Sequence, residues 1–444
     1  MSKAPTQPAK SSSVYGLPSS CAAASLTTSQ KIRVLIIASA ATACLYGSSV
    51  AARAAGPQSE PVHPANSAPH ARSGPVTGRR CPSPEELDAA LGKASSAMEH
   101  ASYHEAIEAL QSLSGQSCDP RVSLLLAAAL EGSGDLNGAE QTLQKAHSVW
   151  PSNNSVAASL ARDYYRNGQI DKAVAALEHF RPTATTPMQE IDLCVVVFVA
   201  GHQLVSAQSV AEAAYKIYPS VHSLLMLANA LQLQGRFKEV IHLLNEKRNT
   251  YPDSPDFLIT LAESEFDGIL YDAARTDLEH AIALNQGSYQ GHFLLGNVLV
   301  KLGEVDKAVA EYRTAIGLSP GQPRTYYQLA LALQAKQDQE GAKQELQRAI
   351  TADSHYAPAR VEMGRLLLGE NRFSECVDQL TLAVRDNPAN EQAYFLLAKA
   401  YAGLGEKEKS DEMAKRLVAV RNANWQGTAR KNAAGQDSKP ATGP

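Results

Sequence analysis

The sequence predicts an all-α chain, a solenoid of about ten antiparallel helix pairs. Three observations carry this. Residues 289–322 read as a helix, a tight turn and a returning helix. A column of small residues recurs every 33 or 34 positions through most of the chain. Proline punctuates the same register at Pro151, Pro219, Pro252, Pro320 and Pro388, where it cannot continue a helix.

Within residues 289–322, Leu295, Leu299 and Leu302 recur at helical spacing. Gly303 breaks the run. Glu304 and Asp306 then open a second helix, with Ala308, Tyr312, Ala315 and Ile316 on one face. One such pair cannot bury its own apolar faces, so it must stack on neighbours. The Ala308 column holds Ala106, Ala139, Ala173, Ala207, Val240, Ala274, Ala342, Cys376 and Ser410. The Gly296 column holds Ala94, Ala127, Ala161, Val195, Ala228, Ala262, Ala330, Gly364 and Ala398. Small side chains belong there because two helix backbones pass closely. The Leu299 column is large: Leu130, Tyr164, Phe198, Leu231, Leu333, Leu367 and Tyr401.

The pattern Leu295-Gly296, Leu299, Gly303, Ala308, Tyr312, Ala315, Pro320 resembles the tetratricopeptide repeat (TPR) family. It extends over roughly residues 84–424. The resemblance implies a right-handed solenoid whose first helices line a concave groove. Units 87–119 and 154–187 are degenerate, with Phe180 where alanine is usual. Unit 221–254 carries Val240 and Lys247 in columns that are mostly alanine.

Length alone would suggest about three domains, but a repeat array is one extended body. A 44% apolar content is ample for its core. The formal net charge of −4 lacks the basic footprint of a nucleic-acid binder, so none is expected as a partner. Residues 1–55 read as a targeting segment. Lys31 and Arg33 precede the uncharged stretch 34–52, and Ala52-Arg53-Ala54 resembles a cleavage site. A membrane tether through residues 34–52 is the rival reading, and Ala41-Thr42-Ala43-Cys44 faintly resembles a lipoprotein box. Each reading exports the repeats, to the periplasm or another extracytoplasmic space. Residues 56–83 form a Pro-rich linker. Ser83, Pro84 and Glu86 then promise a capped first helix. The last helix, near 406–421, is highly charged, and residues 425–444 read as a disordered tail.

No glycine-rich phosphate loop, zinc-protease helix or Cys-x-x-Cys pair is present. No catalytic residue, cofactor or metal site is therefore expected, and the chain reads as non-enzymatic. His100 and His104 straddle a turn and need not share a face. Glu265 breaks the large apolar column. The expectation is that its helix rotates slightly and Phe266 fills the core. Cys194 and Cys376 fall in core columns. Cys81 and Cys118 match no repeat column and flank the first helix pair, so a Cys81–Cys118 disulfide is expected in an oxidising compartment.

A repeat protein without a catalytic domain works through its surface. The face opposite the apolar stripe on the first helix of residues 289–322 presents Gln290, Phe293, Asn297 and Lys301. Equivalent positions downstream hold Arg324, Tyr327, Gln328, Arg365, Phe395 and Lys399. Aromatic groups beside arginine are frequent binding anchors. These residues are the expected partner-binding groove, for an extended protein or peptide segment. A glycan is the alternative ligand. Other readings make the chain a component of an envelope polysaccharide or secretion assembly, or an accessory subunit of an enzyme. Asn229 and Asn297 share a column, but the lysines of the family's carboxylate clamp are missing.

Overall fold

The computed structural model describes residues 82–114 and 119–436. The targeting segment, the possible tether 34–52, most of the linker and both Cys81 and Cys118 lie outside the described residues. So does the tail beyond residue 436.

Twenty α-helices follow one another, with no strand among the described residues. First helices are α1 (Pro84–Glu99), α3 (Pro120–Ser133), α5 (Asn154–Arg166), α7 (Met188–Ala200), α9 (Val221–Leu233), α11 (Pro255–Asp267), α13 (Tyr289–Lys301), α15 (Pro323–Ala335), α17 (Ala357–Gly369) and α19 (Glu391–Gly403). Second helices are α2 (Tyr103–Ser114), α4 (Leu136–Val149), α6 (Ile170–Ala176), α8 (Leu204–Ile217), α10 (Phe237–Lys247), α12 (Tyr271–Leu284), α14 (Val305–Leu318), α16 (Gln339–Ala352), α18 (Phe373–Asp386) and α20 (Lys407–Gln436). The chain divides into two compact units, residues 1–236 and 237–444. Within each, a helix packs on its chain neighbours and on the next first helix.

The capping box forms at the start of α1. Ser83 Oγ accepts from the Glu86 amide at 3.3 Å, and Glu86 Oε2 accepts from the Ser83 amide at 2.8 Å. The repeat is written most regularly in the turns. A left-handed residue stands five positions before each member of the Ala308 column: Ala101, Gly134, Gly168, His202, Gly235, Ile269, Gly303, Gln337, Asn371 and Gly405. Glycine fills only half of these positions, although it alone adopts that backbone without a steric penalty. The remaining turns are held by the packing of the helices they join. Ile269 is the most costly case, being β-branched at φ 66° and 71% exposed. Ile269→Gly should therefore raise stability by up to about 1 kcal/mol. An unchanged or lower midpoint in urea would show that the turn is not strained.

The small-residue columns are the core. Ala106, Ala139, Ala173, Ala207, Val240, Ala274, Ala308, Ala342 and Cys376 are all fully buried. Where the column turns polar, the group is satisfied across the pair. Cys376 Sγ donates to the Gly364 carbonyl at 3.2 Å, and Ser410 Oγ donates to the Ala398 carbonyl at 2.9 Å. These two carbonyls belong to the facing small-residue column. Cys194 and Cys376 are buried free thiols, as their columns require. Gly296 takes the largest facing side chain. A Cβ there would lie 2.5 Å from the ring of Tyr312, which is itself 1% exposed.

Two departures follow from local sequence. In the degenerate unit 154–187, α6 stops after seven residues, and Leu177 and Phe180 are both buried beyond its end. The following segment is tied down by side chains instead. Asn154 Nδ2 donates to the Arg181 carbonyl and to Thr186 Oγ1, and the Tyr218 hydroxyl donates to the Ala184 carbonyl. At the C-terminus, the expected tail 425–444 is helical as far as Gln436. Despite Gly427 and Gly435, residues 425–436 include the good helix formers Gln426, Ala429, Arg430, Lys431, Ala433 and Ala434 and no proline precedes Pro440, so α20 continues to Gln436.

Candidate functional site

The expected groove residues lie on α13, α15, α17 and α19, all in the unit 237–444. Lys301, Arg365, Phe395 and Lys399 are exposed; Asn297, Arg324, Tyr327 and Gln328 are half-buried. Phe293 departs from the expectation of an outward face. It is 4% exposed, because the next repeat covers it. The Arg324 guanidinium stacks 4.7 Å from its ring centroid, and the rings of Tyr289 and Tyr312 lie 6.0 and 6.1 Å away. A helical wheel gives a direction from one helix and omits what the neighbouring helix lays over it.

Several polar groups on this face have a definite environment. The Tyr312 hydroxyl donates to Asn297 Oδ1 at 2.8 Å, which leaves the Asn297 amide NH₂ as the outward donor. Tyr327 stands edge-on to Tyr356 at 5.9 Å. Tyr289 and Thr325 share a hydroxyl hydrogen bond of 2.7 Å. Arg365 is neutralised by Glu362 at 2.6 Å and also donates to Gln334, so it is less of a free cation than the sequence implies. Lys399 covers the Phe395 ring at 4.6 Å. That ring remains 46% exposed. Burial pushes the hydroxyls of Tyr312 and Tyr356 well above the ordinary tyrosine range. They stay neutral donors.

A second polar cluster in this unit was not foreseen. Glu265, expected to turn outward, is 3% exposed on α11, while Phe266 is only half-buried. The helix has not rotated. The carboxyl instead meets Asp277 of α12, which is 2% exposed. Asp277 is gripped by Arg248, Nη1 to Oδ1 at 2.7 Å and Nη2 to Oδ2 at 2.5 Å. Burial first, and the Asp277 charge second, push the Glu265 carboxyl up to about 8. A neutral Glu265 is how two carboxyls share one guanidinium in the core. The sequence signal was the break in the Leu299 column. Its partners were illegible, because Arg248 comes from beyond the end of α10, in the preceding unit 221–254.

The unit 1–236 shows a different first-helix face. Arg162 Nη2 donates to Glu131 Oε1 at 2.7 Å, and Arg166 reaches Glu131 Oε2 at 3.4 Å. Burial, then the Glu131 charge, pushes Asp163 up to about 6. This face is an internally balanced ion network. His100 and His104 sit apart across their turn. His100 Nδ1 donates to the Ser96 carbonyl at 2.8 Å, and His104 lies 3.6 Å from Glu108.

The fold is that of a helical-repeat protein, consecutive helix pairs packing on one another. Family models described as "TPR repeat" and "Tetratricopeptide repeat" match residues 155–179, 296–337, 323–356 and 391–424. These segments of the chain carry tetratricopeptide repeats, which make it a repeat protein of the protein-interaction scaffold class.

DnaJ homolog subfamily C member 3 of Rattus norvegicus is 27% identical over 101 residues, 23% of this chain and 20% of that protein. Anaphase-promoting complex subunit 3 of Schizosaccharomyces pombe is 20% identical over 254 residues, 57% of this chain and 38% of that protein. The chain thus spans between a fifth and two-fifths of these curated relatives. Among solved structures, YrrB, titled a TPR protein with an unusual peptide-binding site, is similar at 18% identity and a TM-score of 0.35. It covers 43% of this chain and 97% of its own. The Cut9–Hcn1 structure is similar at 10% identity and a TM-score of 0.40, covering 76% and 94%.

Proposed function

We propose that this chain is a non-enzymatic adaptor, held outside the cytoplasm, that receives an extended segment of a protein partner along its C-terminal first helices. The observation that carries this is the row of rings and cations on one face. Phe395 is an exposed aromatic under Lys399, with Tyr327, Asn297 and Lys301 further along. Large exposed rings flanked by cations are costly to leave in water and are typical anchors. Main-chain groups of an extended segment would meet the Asn297 amide and the tyrosine hydroxyls. Export rests on the sequence of residues 31–54; fractionation that finds the full-length chain in the cytosol would overturn that part.

The test uses peptides selected by display against the full chain. Combining Phe395→Ala, Lys399→Ala and Arg365→Ala should weaken their binding at least about tenfold. The circular dichroism melt should stay near that of the wild type, since surface changes cost little. Unchanged binding by the triple variant would move the site off this face.

A further inference from the structure

The geometry points to Arg324 as the receptor for one side-chain carboxylate, an aspartate or glutamate inside the extended segment. This deepens the groove reading and rests on it.

Arg324 begins α15 and is half-buried, with its guanidinium over the Phe293 ring at 4.7 Å. Its Nε is shut off from solvent and has no hydrogen-bond partner. Among the described residues it makes no ion pair, in contrast to Arg248, Arg275, Arg365 and Arg372, which each hold a carboxylate. Tyr356, Tyr289, Glu263 and Tyr312 are the groups whose charge or dipole reaches it. Glu263 accepts a hydrogen bond from Gln290 Nε2 at 2.9 Å. The Glu263 charge reaches it only from beyond ion-pair distance, and removing a guanidinium from water with no paired carboxylate is costly. Stacking on an aromatic ring returns only part of that. Such a group persists where a ligand completes it.

The chemistry of the ligand follows from the surroundings. One planar fork matches one carboxylate in two parallel hydrogen bonds. A phosphate dianion would want a second cation. The next cation downstream in the groove row, Arg365, is already paired with Glu362. The neighbouring tyrosine hydroxyls are held neutral by burial and add donors without repulsion. The row of groove residues continues on both sides, to Lys301 on α13 and to Phe395 on α19. A bound segment therefore crosses Arg324 rather than ending there, which favours a side chain over a chain terminus.

The experiment is a display selection of twelve-residue peptides against the full chain and against Arg324→Gln and Arg324→Lys. Circular dichroism confirms that each variant is folded. The wild type should enrich peptides with one fixed internal Asp or Glu, and Arg324→Gln should lose that preference. For an enriched peptide with an amidated C-terminus, exchanging the acid for its amide should weaken binding at least about tenfold on the wild type and less than about twofold on Arg324→Gln. Arg324→Lys, which keeps the charge and loses the fork, should fall between. Enriched peptides without a fixed acid, or equal losses on both proteins, would overturn the site and leave the groove standing. A peptide whose sole carboxylate is its free C-terminus, binding equally well, would overturn the side-chain assignment. Failure to enrich any peptide would overturn the groove reading itself, and this site with it.

Discussion

Replacing Glu265 with glutamine should remove a fall in stability that the wild type shows between about pH 5 and pH 9. The folded carboxyl holds its proton up to about 8, against an ordinary value of 4.5 when unfolded. The folded state therefore binds more protons than the unfolded chain across that interval. Stability linked to the proton is fully present below the unfolded value and is lost as pH rises through about 8. The loss is at most about 5 kcal/mol. Glutamine keeps the shape and can donate its amide NH₂ toward Asp277 without titrating. Glu265→Leu, which restores the residue type of its column, should also be flat and should be the most stable of the three at pH 9. Urea midpoints measured across pH for the three proteins decide it. Parallel profiles for wild type and Glu265→Gln would mean that Glu265 is ionised and solvated.

Gly296→Ala should destabilise the protein by roughly 1–3 kcal/mol, although alanine is the usual residue in that column and the better helix former. The added Cβ would stand 2.5 Å from the Tyr312 ring. The ring cannot yield, being 1% exposed and tied through its hydroxyl to Asn297. The repeat one step on shows the alternative pairing, with Ala330 and Leu346 both fully buried at the equivalent positions. Gly296→Ala combined with Tyr312→Leu should therefore recover part of the loss. A single variant as stable as the wild type would show that the pair is looser than its geometry. Thermal melts suffice, since 1 kcal/mol moves the midpoint by several degrees.

These two sites mark where the sequence was legible and where it was not. The 34-residue register is local information, because each unit repeats the same backbone problem. Ala106 to Ser410 could be aligned by eye, and the left-handed turns then fall five residues ahead of each member. What a column cannot report is the exception. Glu265 announced itself as a break, but Asp277 comes from another helix and Arg248 from the turn after α10. Phe293 read as outward on its own helix and is buried by Arg324 from the next. The aromatic surround of Arg324 draws on two repeats, with Tyr289, Tyr312 and Tyr356 each at a position that differs in the neighbouring units. Sites assembled across repeats are long-range features, and periodicity is blind to them. The helix through residues 425–436 was missed for a simpler reason: a polar composition without an apolar stripe does not say whether a good helix former stays ordered.

The central claim is that the first-helix face of residues 289–403 receives the partner segment. Site-specific photo-crosslinking tests it most directly. A photoreactive phenylalanine analogue at Gln328 or Lys301 samples this face; the same group at Thr314 or Arg348 samples the exposed second helices α14 and α16. With a display-selected peptide bound to the full chain, crosslinks should form from Gln328 and Lys301 and not from Thr314 or Arg348. Crosslinks that arise mainly from Thr314 and Arg348 would contradict the account.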